Sequence, residues 1–156
     1  MEFNFIIIPV VIALTAYRGM LYTRSGLKDW YHKLQKPWWT PTGKQIGEIW
    51  TWIYIMTGIS VLWFWNVPAY GWWHYGIGGL LLVNAAINIY WSKVFFVEHN
   101  FRKAFKTMMA MNGLTIVTAI CMLPFSYIAP FLLFPYIVWV GIATRLTLDI
   151  EKLNKK

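Results

Sequence analysis

The chain has 156 residues, of which 58% are hydrophobic and only 13% are charged. A soluble domain averages about 25% charged residues, so this composition is typical of a chain that lies mostly in a membrane and leaves no room for a soluble catalytic domain. The net charge is +8, but the basic residues lie beside apolar runs and not along a groove-reading helix. We therefore expect membrane lipids as partners and no nucleic acid.

Five apolar runs are long enough to cross a bilayer, since a membrane helix needs roughly 20 residues. In chain order they cover about 3–22, 45–66, 71–92, 104–123 and 128–148. The pattern predicts an all-α membrane protein: a bundle of five transmembrane helices in a single domain over residues 1–156. The loop between helices 1 and 2 is rich in Trp and Pro, unlike a flexible linker, and we expect it to be structured and to pack on the mouth of the bundle.

The Lys and Arg residues lie on one side of every span. Apart from Arg18, near the end of the first span, all of them fall in segments 24–44, 93–106 and 145–156, and the connections 67–70 and 124–127 contain none. Because cytoplasmic loops retain positive residues, the pattern predicts a multi-pass protein with its N-terminus outside and its C-terminus in the cytoplasm. The first apolar run is preceded by Glu2 and not by the basic residues that begin a secretory signal peptide, so we expect no such peptide.

Conventional catalytic or metal-binding groups are scarce. The three histidines lie at loops or interfaces without ligand spacing, and Cys121 is the single cysteine, so we expect no metal site and no required cofactor. Apart from Glu48 no carboxylate lies within a span, and no internal repeat is evident, which disfavours a proton-coupled transporter.

Amide and aromatic side chains recur at helical spacing within three spans. The stripes are Ile46, Trp50 and Tyr54 on the second span, Asn84, Asn88 and Trp91 on the third, and Tyr136, Trp139 and Ala143 on the fifth. Buried amides favour interhelical hydrogen bonds, and aromatic stripes more often pack than bind a ligand. Spacing alone leaves both packing and a ligand cavity open.

Longer motifs resemble the TSPO/MBR family, the translocator proteins or bacterial tryptophan-rich sensory proteins, also called peripheral benzodiazepine receptors. The matching segments are Trp30-Tyr31-His32-Lys33-Leu34-Gln35-Lys36-Pro37-Trp38-Trp39-Thr40-Pro41 with Trp50, then Asn88-x-x-Trp91 with Phe95-Phe96, and Pro135-Tyr136-x-x-Trp139-x-x-x-Ala143-Thr144-x-Leu146. The resemblance covers nearly the whole chain in order. It implies a five-helix bundle, usually a homodimer, with a cavity near the first loop.

The resemblance also implies a ligand and a site. Family members bind porphyrins, notably protoporphyrin IX, and flat synthetic ligands; animal members also bind cholesterol. Matching positions would place Trp50, Asn88, Trp91, Trp139 and Ala143 in the pocket and Tyr31, Trp39 and Pro41 in a lid. The remaining candidates, from the same helix faces, are Ile46, Tyr54, Asn84 and Tyr136.

Two positions depart from the family pattern. Pro41-Thr42 replaces the usual Pro-Pro, and the segment after the fifth-helix motif lacks the tyrosine of the animal sterol pattern. We therefore expect sterol recognition to be poor.

Three functions follow from the resemblance, and we rank them in this order. The first is a binding protein or sensor for porphyrins and related flat hydrophobic ligands. The second is light-dependent oxidative degradation of protoporphyrin, with Trp50 and Trp139 as the reactive residues, which leaves enzyme activity open. The third is a porphyrin or sterol transporter. Cations on the first loop, namely Lys28, Lys33, Lys36 and Lys44, could meet either the ligand carboxylates or lipid phosphates.

Overall fold

The computed structural model describes residues 3–27, 29–68 and 71–155. Within these residues the chain forms five long α-helices: α1 (Asn4–Leu27), α2 (Gly43–Asn66), α3 (Trp73–Phe96), α4 (Phe101–Met122) and α5 (Ile128–Asn154). A 3-10 turn at Tyr31–Lys33 structures the loop between α1 and α2. Each long helix is apolar enough and long enough to span a membrane. The predicted five-helix membrane bundle is confirmed.

The helices form a closed ring. α1 packs on α3, α3 on α4, α4 on α5, and α5 on α2, while the α1–α2 contact that closes the ring is much less extensive. α2 and α3 are therefore not neighbours but face each other across the interior. This arrangement leaves space between them, and the thin α1–α2 seam lets that space reach the surface.

Three helices run further than the apolar runs indicate. α1, α3 and α5 end at Leu27, Phe96 and Asn154, beyond the predicted ends near 22, 92 and 148. Hydropathy marks where the hydrocarbon ends, whereas backbone hydrogen bonds continue a helix into the head-group region. The extensions carry basic residues into this region, and we call this end of the molecule the basic half.

Local sequence explains how two helices begin. Thr42, the residue that departs from the family's Pro-Pro, is the N-cap of α2 and forms a reciprocal capping box with Gln45. Its hydroxyl oxygen accepts from the Gln45 N–H at 3.3 Å, and Gln45 Oε1 accepts from the Thr42 N–H at 2.8 Å. Asn100 caps α4 by accepting from the Lys103 N–H at 2.9 Å.

The ends of α1 and α3 meet in the basic half. A Cβ at Gly26 would collide with the carbonyl of Phe96, so only glycine allows α1 to approach α3 this closely. Trp30 follows immediately and its ring stacks on His99, with centroids 4.2 Å apart. These contacts fix where the first loop leaves α1 and direct it over the end of the bundle.

Candidate ligand cavity

The basic half of the bundle contains a cavity of about 770 Å³ between α1, α2, α3 and α5, within the roughly 300–1,000 Å³ typical of ligand sites. We call it the tryptophan cavity because Trp50, Trp91 and Trp139 form its walls, one from each of three helices. The Trp50 and Trp91 rings lie 5.9 Å apart at 32°. The indoles of Trp50 on α2 and Trp91 on α3 thus contact each other inside the cavity, although these helices are not adjacent in the ring.

Most of the residues that sequence proposed for a site line this cavity. They are Tyr31, Ile46, Trp50, Tyr54, Asn88, Trp91, Trp139 and Ala143. Four others lie elsewhere: Trp39 and Pro41 are half-buried in the loop before α2, and Asn84 and Tyr136 lie deeper in the bundle. The structure brings the three helical stripes together and leaves the ligand-binding role of each residue a prediction.

A hydrogen-bonded chain closes the inner end of the tryptophan cavity. Tyr54 donates its O–H to Asn88 Oδ1 at 2.8 Å, and Asn88 donates to the Tyr136 hydroxyl at 3.3 Å. Tyr136 donates in turn to Asn84 Oδ1 at 2.9 Å, and Asn84 donates to Thr115 Oγ1 at 2.8 Å. The chain links α2, α3, α5 and α4, so the buried amides make the interhelical hydrogen bonds that their spacing favoured.

A second cavity, of about 380 Å³, lies beyond this chain in the other half of the bundle, between α1, α2 and α3. Asn84 and Tyr136 line this second cavity and not the first, while Tyr54 and Asn88 line both. The polar chain is therefore a partition between two spaces. The sequence placed Tyr54, Asn84, Asn88 and Tyr136 in one site because helical spacing shows which residues share a face of a helix. It does not show how deep in the bundle each residue lies.

Two of the tryptophans have unused hydrogen-bond donors. Trp91 and Trp139 are only 9% and 7% exposed, and among the described residues neither indole N–H has an acceptor. A buried donor without a partner carries a free-energy cost of about 1–3 kcal/mol. Both indoles belong to the tryptophan cavity, so an occupant with acceptor atoms would relieve this cost.

Charged residues occur only at the mouth of the tryptophan cavity. Arg24 from α1, and Lys44 and Glu48 from α2, line it there, and all three are exposed. Lys44 was expected from sequence and Arg24 was not. Lys36 is already engaged, since its ammonium donates to the Leu34 carbonyl at 3.1 Å and lies 4.6 Å from the centre of the Tyr31 ring. Lys33 is not a lining residue, and Lys28 lies outside the described residues.

The first loop is anchored over the cavity at two points. Tyr31 packs its ring against Phe95 and Phe96, with centroids 6.1 and 5.9 Å away, and burial raises the pKa of its phenol. Further along, Asn154 at the end of α5 holds Gln35 twice: Oδ1 accepts from the Gln35 N–H at 3.0 Å, and Nδ2 donates to the Gln35 carbonyl at 2.8 Å. Sequence reasoning missed this connection, which joins residues 119 positions apart.

The wall contributed by α1 was also missed. Its lining residues follow one helical stripe: Ala16, Gly19, Met20, Thr23, Arg24 and Leu27. The small residue Gly19 lets α1 come close to α3, where an added Cβ would lie 3.3 Å from Ser92 Oγ. The periodic placement of small residues in the first span was the available signal.

The fold and this site define a class: a multi-pass integral membrane protein with an aromatic internal cavity beneath a structured loop. The chain belongs to the TspO/MBR family, whose model matches residues 5–153. It is 26% identical over 151 residues to the "Tryptophan-rich protein TspO" of Archaeoglobus fulgidus, covering 95% of this chain and 96% of that protein. It is 28% identical to the "Uncharacterized membrane protein YtaB" of Bacillus subtilis, covering 93% and 92%, and to the human "Translocator protein", covering 91% and 85%.

Proposed function

We propose that this protein is a membrane receptor for porphyrin-type ligands, which bind in the tryptophan cavity. The observation that carries the proposal is the pairing of an aromatic cavity of about 770 Å³ with two unpartnered indole N–H groups inside it. Protoporphyrin IX is a flat apolar ring with two carboxylates on one edge, and two of its four inner nitrogens are acceptors that a donor can reach only from the ring face. Aromatic walls match the ring, and buried donors match acceptor atoms.

The charge distribution supports one orientation of the ligand. Arg24, Lys44 and Glu48 lie at the mouth, and no charged side chain lies deeper among the described lining residues. Lys44 pairs with Glu48 at 3.9 Å, which leaves Arg24 as the cation without an acidic partner at the described mouth. The ring would therefore enter first and the carboxylates would stay at the head-group level. Exposed cations add little affinity in water, so orientation and not binding strength is their main contribution.

Fluorescence titration with protoporphyrin IX tests the proposal. Dark titration of the purified protein should give saturable Trp quenching with the unmodified chain and much weaker binding with the double variant Trp50→Phe/Trp139→Phe. Trp73→Phe, an exposed position outside the cavity, is the matched control. If the unmodified protein shows no saturable quenching, protoporphyrin IX is not a ligand, and the conclusions about the fold are unchanged.

Illumination extends the same experiment to the second candidate. The Trp50 ring contacts those of Tyr54 and Trp91 beside the cavity, with centroids 5.7 Å and 5.9 Å away, and such aromatic groups are oxidisable. A new absorbing product that forms only in light and dioxygen, and not with Trp50→Phe, would add porphyrin degradation to binding. An unchanged absorption spectrum would restrict the function to binding.

We also propose that the basic half faces the cytoplasm, which puts the N-terminus outside. The basic residues lie at the end of α1, in the first loop and the start of α2, at the end of α3 and the start of α4, and in the last part of α5. In a Cys121→Ser background, Asp29→Cys should react with an impermeant maleimide only from the cytoplasmic side, and Tyr127→Cys, at 81% exposed, only from outside. The opposite labelling pattern would reverse the orientation.

A further inference from the structure

The smaller cavity, of about 380 Å³, is chemically unlike the tryptophan cavity. Most of the side chains that line it come from the first half of α1, the second half of α2 and the first half of α3, and the partition residues Tyr54, Asn88 and Tyr136 complete it. None of these described lining residues is charged. We call it the lateral cavity because three of its lining residues, Ile7, Tyr75 and Leu82, are more than half exposed on the outside of the bundle. In a membrane, such an opening faces lipid chains.

One polar group in the lateral cavity lacks a partner. The Thr57 hydroxyl is buried and, within the described chain, has no hydrogen bond. The other threonines buried in the bundle each donate to the carbonyl four residues earlier: Thr15, Thr115, Thr118, Thr144 and Thr147. Thr57 therefore departs from the common local arrangement, whereas Thr15, which lines the same cavity, keeps it.

Most of the other buried polar groups of the lateral cavity are already satisfied. Tyr54, Asn84, Asn88 and Tyr136 are engaged in the partition. Tyr75, which also lines the cavity, is exposed at its opening. A ligand that enters the cavity would thus meet mainly apolar walls, with the Thr57 hydroxyl as a buried group that is free to bond. A charged ligand would find no counter-ion there, and burying an unpaired charge is costly.

Glycine leaves room along the α3 wall. A Cβ placed on Gly79 would meet nothing within 4 Å, although the residue lines the cavity and is half-buried. Neighbouring Gly78 is different, because its Cβ would lie 3.0 Å from the Trp65 ring. The space beside Gly79 is therefore available for a ligand and not taken up by packing.

From these observations we infer that the lateral cavity binds one uncharged single-chain lipid carrying a hydroxyl or carbonyl group, which enters sideways from the half of the bilayer opposite the basic loops. The hydrocarbon chain of the lipid would lie against Ile8, Val11 and Leu82, and the polar group of the lipid would hydrogen-bond with Thr57. This site is separated from the tryptophan cavity by the partition and does not depend on porphyrin binding.

A photoactivatable sixteen-carbon fatty alcohol with a mid-chain diazirine tests the inference in lipid nanodiscs holding the full chain. Cross-linked peptides should come mainly from residues 4–15 and 75–85, and excess 1-hexadecanol should compete better than hexadecane. Saturating protoporphyrin IX should leave the labelling unchanged. Even labelling of all lipid-facing helices, or labelling lost on porphyrin addition, would overturn the inference.

Two variants with matched controls make the test specific. Gly79→Leu should fill the space and reduce labelling at least about five-fold, roughly the effect of one CH2 group of the lipid that is no longer buried. Gly76→Leu should not reduce labelling, because Gly76 is equally unobstructed but does not line the cavity. Thr57→Val keeps the shape and should abolish the preference for 1-hexadecanol over hexadecane. Equal labelling in the two glycine variants, or an undiminished alcohol preference in Thr57→Val, would refute the site.

Discussion

The two cavities share a wall but offer ligands different chemistry. The tryptophan cavity has charged side chains at its mouth and free indole N–H groups within, whereas the lateral cavity has a buried, unpaired Thr57 hydroxyl among mainly apolar side chains. The difference follows from their positions along the bundle, because Arg24 and Lys44 lie at the ends of α1 and α2 in the basic half only. A hydrogen-bonded partition separates the spaces, so the two proposed ligands would bind independently.

The largest effect is expected from removing one aromatic wall of the tryptophan cavity. Trp139→Ala should weaken protoporphyrin IX binding roughly 30-fold, since losing a buried aromatic wall removes about 2 kcal/mol. Isothermal titration in detergent measures the change, and Trp73→Ala in the other half is the control. Comparable small losses in both variants would mean that the ligand does not bind between these walls.

Breaking the partition should lower the stability of the bundle. Asn84→Ala deprives the Tyr136 hydroxyl of its acceptor and Thr115 of its donor, so the free energy of unfolding should fall by about 1–2 kcal/mol, near the upper end for membrane hydrogen bonds. Unfolding by SDS in mixed micelles measures this loss. Asn66→Ala, which removes only a local bond to Leu62 at an exposed helix end, should cost much less. A similar cost for both would deny the partition its structural role.

Loosening the first loop should speed the release of a ligand from the tryptophan cavity and leave the lateral cavity unchanged. Asn154→Ala removes both hydrogen bonds to Gln35, and Tyr31→Ala removes the packing on Phe95 and Phe96. Each should speed porphyrin dissociation about five-fold, consistent with one or two modest contacts, in stopped-flow fluorescence. Leu153→Ala, an exposed neighbour on α5, should leave the rate unchanged. Off-rates equal to that of the unmodified chain would show that the loop does not cover the ligand.

The smallest effect concerns the mouth. Arg24→Gln should weaken protoporphyrin IX binding only about two- to three-fold, because an exposed ion pair contributes little. The dimethyl ester, which lacks the carboxylate charges, should bind the variant and the unmodified protein equally. The loss should also shrink at high salt. If the ester is affected as much as the acid, Arg24 contributes through packing and not through charge.

Several features of the site were predictable residue by residue. Trp50, Asn88, Trp91 and Trp139 recur at helical spacing within apolar runs, and the motifs around Trp30–Pro41 and Pro135–Leu146 specify the family. Helical periodicity predicts which residues share a face, and hydropathy predicts which segments enter the bilayer. These two signals were enough for the five helices, whereas the placement of most of the cavity wall in a pocket came from the resemblance to the family.

Other features depended on contacts between distant segments. Arg24 and Gly19 entered the site because α1 closes the ring against both α2 and α3, and Asn154 reached Gln35 because α5 continues past the hydrocarbon. Asn84 and Tyr136 lie on the expected faces but across the partition. No local pattern encodes depth along a bundle axis, or the pairing of helix ends that are far apart in sequence.

The sequence by itself determined the five apolar helices, the placement of Lys and Arg on one side of the spans, and the family. Each of these depends only on composition or on the spacing of nearby residues. Only the tertiary structure decided that the interior holds these cavities, since they depend on α2 and α3 facing each other through side chains and not through close backbone packing. It also decided which hydroxyl and indole groups remain unpaired, because hydrogen-bond partners come from other helices. These unpaired groups in turn indicate what each cavity can bind.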